Sequence, residues 1–298
     1  MSSLDLEPPK VEIAVQTDNT LGESPVWHEE EQTLYWIDLR APSIQRYRPA
    51  NGMHQSFRLQ HLVGAVVPRS SGGVISCMEN GLHVFRFDGQ GARPLPGINL
   101  HIPQNHRMND ACCDRYGNLW CSVMRDFGKS ATGTLYRLSP DDSVILVRSG
   151  LTVPNGLCHD IVSDHLYFTD SPSGKIEFIK ASEPLQQPVD WTPFCDLSSL
   201  PGVPDGATVD REGFLWSAVF GAGKVLRISP DGEVVGAIHL PVSQPTSCTF
   251  GGSNLRTLFV TTARQGLAQE QLRNEPLAGS VLKIELPYTG QREGKFAA

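Results

Sequence analysis

Six times along 298 residues, at nearly constant spacing, a turn of Asp, Asn or Gly leads into a short apolar or aromatic run. A second run ending in a basic or polar residue then follows. The first runs fall at 33–38, 73–77, 118–123, 165–170, 214–219 and 257–262. Their partners fall at 43–47, 82–87, 133–138, 175–179, 224–228 and 280–284. The first runs begin about 40, 45, 47, 49 and 43 residues apart, the period of four-stranded propeller blades. The clearest repeated pair is Asp114-Arg115-Tyr116-Gly117 and Asp210-Arg211-Glu212-Gly213, each leading to a tryptophan, while Ser229-Pro230-Asp231-Gly232 is a hairpin signal of the same kind. A β-sandwich also uses short strands and turns, but it does not require this even spacing. The expectation is an all-β chain folded as a single six-bladed β-propeller domain over 1–298. Segments 1–10 and 290–298 are expected to be peripheral tails. A strand at 11–15 would pair with the last blade and close the ring, removing exposed sheet edges.

Composition narrows the ligand. With 28 glycines and 22 prolines, about a sixth of the chain against about an eighth in average usage, the protein is rich in turns. A formal charge of −7 and a pI near 5.7 leave no basic stripe to neutralise phosphates. Nucleic acid and anionic membranes are therefore poor partners, and a small molecule is the expected ligand of a monomer or small homo-oligomer. Seven cysteines, at 77, 112, 113, 121, 158, 195 and 248, form an odd set with no Cys-x-x-Cys pair. They read as buried free thiols, neither a disulfide framework nor a zinc knuckle. The first ten residues carry acids and prolines where a signal peptide needs an apolar run, and no segment is apolar for long enough to span a bilayer. The cytoplasm is the expected location.

Three tripeptides carry the chemistry: Gly22-Glu23-Ser24, Pro154-Asn155-Gly156 and Pro204-Asp205-Gly206. Taken singly, each reads as a surface turn. Their weight lies in position, since each precedes the innermost strand of a different expected blade and a closed ring would bring their oxygens to one centre. Two carboxylates and one amide oxygen suit one divalent cation, Ca²⁺, Mg²⁺ or Mn²⁺, with Zn²⁺ or Fe²⁺ also compatible. Positions left open for water and substrate would distinguish a catalytic site from a closed structural one. A fourth segment, Asn105-His106-Arg107-Met108-Asn109-Asp110, places the donor fork of Arg107 beside the amide of Asn109, a pairing matched to a hydroxyl-rich ligand. Read alone, Asn109 and Asp110 form a turn and Arg107 pairs with a surface acid. His101, His106, His159 and His165 lack the spacing of a zinc-protease helix and read as solvated or hydrogen-bonded loop histidines. Cys248, after Ser247, has no base nearby in sequence and reads as a buried thiol.

In this order, these segments resemble the SMP-30/gluconolactonase/regucalcin-like family. Arg107-Met108-Asn109-Asp110, Asn155-Gly156-Leu157, Pro204-Asp205-Gly206, the 246–252 segment and Val260-Thr261-Thr262-Ala263-Arg264 carry the resemblance, which spans essentially the whole chain. It implies one catalytic divalent metal held by Glu23, Asn155 and Asp205. It further implies that Arg107 and Asn109 bind substrate hydroxyls, with Asn109 also able to approach the metal. The implied activity is that of a lactonase, a carboxylic ester hydrolase opening sugar 1,4- or 1,5-lactones to aldonic acids. Many relatives carry an acidic segment after the third blade's central strand. Here that stretch is Met124-Arg125-Asp126-Phe127-Gly128-Lys129, and Arg125 and Lys129 make the rim more basic.

The mechanism expected on this basis is attack by metal-activated water, with Asp205 taking the water proton and Glu23 and Asn155 positioning the metal. Two rivals share the residues: a metal-dependent esterase or organophosphate hydrolase on the same site, and a non-catalytic calcium- or sugar-acid-binding regulatory protein. Turnover separates the second from an enzyme, and the polar Arg107–Asn109 pair favours a polyhydroxylated substrate over an apolar ester.

Overall fold

The computed structural model describes residues 9–98, 100–128, 130–185 and 189–297; Lys129 of the expected basic rim and residues 1–8 of the expected N-terminal tail lie outside them. Strand β1 (Val11–Val15) comes first. Then follow β2–β5 (Gly22–His28, Thr33–Asp38, Ser43–Arg48, Met53–Arg58), β6–β9 (Val63–Pro68, Val74–Met78, Gly81–Arg86, Gly91–Pro94) and β10–β13 (His106–Cys113, Leu119–Arg125, Gly133–Leu138, Val144–Leu151). The second half comprises β14–β17 (Pro154–His159, His165–Asp170, Lys175–Lys180, Thr192–Asp196), β18–β21 (Val203–Val209, Leu215–Phe220, Lys224–Ile228, Val234–His239) and β22–β24 (Pro245–Gly251, Thr257–Thr262, Val281–Glu285). A short helix, α1 (Gln269–Asn274), precedes β24.

These strands form six four-stranded antiparallel sheets. The last is ordered β1-β24-β23-β22, with Val11 opposite Ile284, so the N-terminal strand closes the ring as expected. The expected first runs are the second strands of the blades, and 33–38, 165–170 and 257–262 coincide with β3, β15 and β23.

Burial explains why this ring is stable. Strands β3, β6, β7, β22 and β23 are buried at every position, whereas the outermost β5 and β21 are mostly exposed. Side chains from facing sheets form the six apolar clusters, one at each junction between neighbouring blades. One joins Ile75 to Leu119 and Cys121, and another joins Trp27 and Trp36 to Phe259. The repeated Asp turns brace this packing. Asp114 accepts from the backbone N–H of Tyr116 (2.9 Å) and Asn118 (3.0 Å) and from the Trp120 indole (2.8 Å). Asp210 does the same for Glu212, Phe214 and Trp216.

The expectation for 290–298 is corrected over 290–297, residue 298 lying outside the described residues. Phe296 is 0% exposed, and its N–H donates to the Pro68 carbonyl at 2.9 Å. Gln291 donates to Asp160 and to the Asp210 carbonyl, and Thr249 donates to Glu293. The segment is held because it can bury an aromatic side chain and satisfy its polar groups there. All seven cysteines are free, six of them buried, with Cys195 half-buried. Among the described residues, no helix is long and apolar enough to cross a membrane.

Candidate active site

The tripeptides read as turns lie inside the innermost strands β2, β14 and β18, not ahead of them. Every innermost strand breaks register at that level: between Glu23 and Val26, Val63 and Ala65, Met108 and Ala111, Asn155 and Cys158, Pro204 and Ala207, and Pro245 and Ser247. A bulge adds a residue to one strand and re-aims the side chains around it. Gly156 meets the geometric demand with a φ of 66°, which glycine adopts without a Cβ penalty. Ser24 adopts a φ of 50°, and its hydroxyl bonds both the N–H (2.9 Å) and the carbonyl (3.2 Å) of Val66 on the next blade. The site residues occupy the starts of the innermost strands. The C-terminal segment meets their other ends, at Pro68, Asp114 and Val209, so the central channel is closed opposite the site.

The five expected residues meet at one centre. Asn109 Nδ2 donates to Asn155 Oδ1 at 2.6 Å and to the Pro154 carbonyl at 2.9 Å. Asn155 Nδ2 donates to Ser171 at 2.9 Å, fixing its oxygen inward. Arg107 Nη1 donates to Asn109 Oδ1 at 2.6 Å. Burial, then the charge of Asp110, raises the Glu23 carboxyl to about 8 against the pull of the Ser24 N–H and Arg107. Burial, then the charges of Glu23 and Asp110, holds Asp205 well above the usual carboxylate range. Both N–H groups of Asn109 are thus committed, and what it can still offer a ligand is a lone pair on Oδ1.

Asp110 was read only as a turn residue, yet it belongs to the centre. Its carboxylate accepts from the N–H of Leu157 at 2.8 Å and of Ala111 at 2.8 Å, tying β10 to the bulge that presents Asn155. Burial raises its carboxyl to about 7 despite these bonds. An acid set directly before the apolar Ala111-Cys112-Cys113 run was the available signal. Asp126 and Arg40 were missed for another reason: they are far apart in sequence and meet across blades, with Arg40 Nη1 and Nη2 on Asp126 at 3.0 and 2.8 Å. On the rim expected to be basic, Arg125 is half-buried.

The donor set fits a divalent cation. Two carboxylates are taken out of water near a third, with Arg107 the cation acting on both, and such groups are costly unless neutralised. Among the described residues no group of three or more His, Cys, Asp or Glu side chains could hold a metal. The expected triad therefore depends on the Asn155 amide oxygen as its third donor. Oxygen donors of this kind suit hard cations.

Fold and site together define a six-bladed propeller with an acidic, oxygen-lined centre at one end of a plugged channel. A family model for the SMP-30/gluconolactonase/LRE-like region matches residues 21–264, and the chain belongs to that family. It is 31% identical over 287 residues to a 6-deoxy-6-sulfogluconolactonase from Pseudomonas putida, covering 96% of this chain and 98% of that one. It is also 31% identical over 281 residues to regucalcin from Xenopus laevis, covering 92% and 94%. A solved structure from Agrobacterium tumefaciens, titled a calcium-binding protein, regucalcin, superimposes with a TM-score of 0.90 over 98% of both chains at 22% identity; that likeness speaks to the fold alone.

Proposed function

We propose that this protein hydrolyses sugar lactones to aldonic acids, using a divalent cation held by Glu23, Asn155 and Asp205. The observation that carries the reading is the Glu23–Asp205 acid pair, with Asp205 buried and Glu23 half-buried, set beside the Arg107–Asn109–Asn155 chain of hydrogen bonds. A relative named as a sugar lactonase, similar over nearly the whole chain, supports it. When bound, the cation would polarise the lactone carbonyl as a Lewis acid. Arg107 would anchor the substrate through Nη2, its one guanidinium nitrogen without a protein partner among the described residues. Asn109 holds Arg107 and Asn155 at fixed separation. Asp205 would accept the proton of the attacking water at its carboxylate, a role favoured by its raised proton affinity and weakened by any cation beside it. The water oxygen bonds to the carbonyl carbon, the ring C–O bond breaks, and the ring oxygen takes a proton. The acid product then releases one to the buffer. Seven unpaired cysteines suit a reducing compartment, and we place the protein in the cytoplasm.

The test is proton release from glucono-, xylono-, arabinono- and galactonolactone by chelator-stripped protein, with and without each divalent cation and corrected for spontaneous hydrolysis. Cation-dependent acceleration is expected. Asp205→Ala should then lower kcat by about 10²–10⁴-fold. Tight cation binding with no acceleration of any lactone would leave the regulatory reading standing instead.

A further inference from the structure

At the mouth of the site, Asp126 is bonded to two guanidinium groups from different blades. Its Oδ1 accepts from Arg107 Nε at 2.9 Å and from Arg40 Nη2 at 2.8 Å, and its Oδ2 accepts from Arg40 Nη1 at 3.0 Å. Arg40 is braced in turn: its Nε donates to Gln265 at 2.9 Å on the sixth blade, and its guanidinium lies 4.0 Å from the ring centroid of Phe127. Phe127 is held at a φ of 51° and is 73% exposed. The Asp126 N–H donates to the Asn105 carbonyl at 2.9 Å, so the acid is fixed by backbone as well. Burial alone would raise the Asp126 carboxyl, but the bonds to Arg40 and Arg107 outweigh it and hold it below its ordinary value.

Arg107 is therefore gripped on both sides. Its Nε is taken by Asp126, and its Nη1 by the Met108 carbonyl (3.1 Å) and Asn109 Oδ1 (2.6 Å). We propose that Asp126 is a positioning residue for substrate binding: it fixes the Arg107 guanidinium so that Nη2 faces the ligand, and Arg40 steadies Asp126 from the rim. No contact of Asp126 with substrate is involved. Two guanidinium groups sharing one carboxylate also leave a net positive charge at the mouth. The inference rests on the lactonase reading and deepens it.

Asp126→Ala should raise KM for the preferred lactone about tenfold, the scale of one charge-assisted hydrogen bond, while kcat stays within about threefold. Asp126→Asn, close in shape, should show a smaller rise in KM, and Asp126→Glu should recover part of the loss. Arg40→Ala should move KM less than Asp126→Ala does, because Asp126 still meets Arg107. The number of divalent cations bound per chain should be unchanged in all four. An unchanged KM in Asp126→Ala, a fall in kcat alone, or loss of the cation would overturn the proposal. If the wild type opens no lactone, the lactonase reading fails separately. Calorimetric titration with gluconate then decides: affinity about tenfold weaker in Asp126→Ala supports the positioning role, whereas equal affinity, or no binding to either protein, overturns it.

Discussion

Glu23 and Asp205 are acids that the fold has moved out of water and towards each other, and this gives the cation-free protein a signature in pH. An unfolded glutamate titrates near 4.5, whereas Glu23 in the fold is raised to about 8. Between those values the native state holds a proton that the unfolded chain has released. Stability from this group is therefore fully present below about pH 4.5 and is lost as pH rises through about 8. Asp205, raised for the same reasons, acts in the same direction. In excess chelator the melting temperature should fall from about pH 5 to 8.5, with Glu23→Gln flattening part of the slope. Saturating divalent cation should reverse the trend, because it competes with those protons and gains as they leave. A flat profile in chelator would show that the two acids are ionised without a cation.

At the scale of elements, the blade spacing was legible because the second strand of each blade is largely buried and carries an apolar-rich run such as Leu34-Tyr35-Trp36-Ile37. The outermost strands were not, since β5 and β21 are mostly exposed and no buried face imposes a pattern on either the polar 53–58 run or the apolar 234–238 run. The innermost strands were misread as turns. Their bulges use the residues that turns use, Asn155-Gly156 and Asp205-Gly206, and a register break hides the two-residue period that would mark a strand. That Arg107, Asn109, Asn155, Glu23 and Asp205 gather at one centre was legible through their order along the chain. The Arg40–Asp126 contact was not, because only ring closure makes those residues neighbours. Close approach between inner strands is itself a requirement: a Cβ on Gly64 of β6 would lie 2.2 Å from the Met108 carbonyl oxygen and 2.7 Å from that of Asn109. Backbone cannot swing aside as a side chain does. Gly64→Ala should cost at least about 1–3 kcal/mol by overpacking and should displace the strand bearing Arg107 and Asn109. Denaturant unfolding and KM measured together would check both effects.

Across the whole molecule, stability is divided among six blade junctions and the C-terminal segment that crosses beneath them. A cavity of about 50 Å³ lies along the channel, with Ser24 and Asp110 towards the site and Glu293 and Gly294 on the plugging segment. It is large enough for water and is lined by polar groups able to hold it. Phe296 anchors the segment from a fully buried position. Phe296→Ala should therefore cost about 3–5 kcal/mol, the range for buried aromatic truncations, where a peripheral tail would give a change near zero. Equilibrium unfolding in guanidinium distinguishes the two.

The pairing of β1 with β24 has a consequence for how the protein is made. Strand β1 has to wait for β24, so before they pair the ring is an open arc with unpaired sheet edges at both ends. Joining those ends closes a loop nearly as long as the chain, the kind of contact that forms slowly. Glu23 follows β1 into the first blade, and Gln265 precedes β24 in the sixth, so both sides of the seam reach the site. The binding centre is thus complete only after β1 has met β24, and until then the open arc is the form most exposed to aggregation.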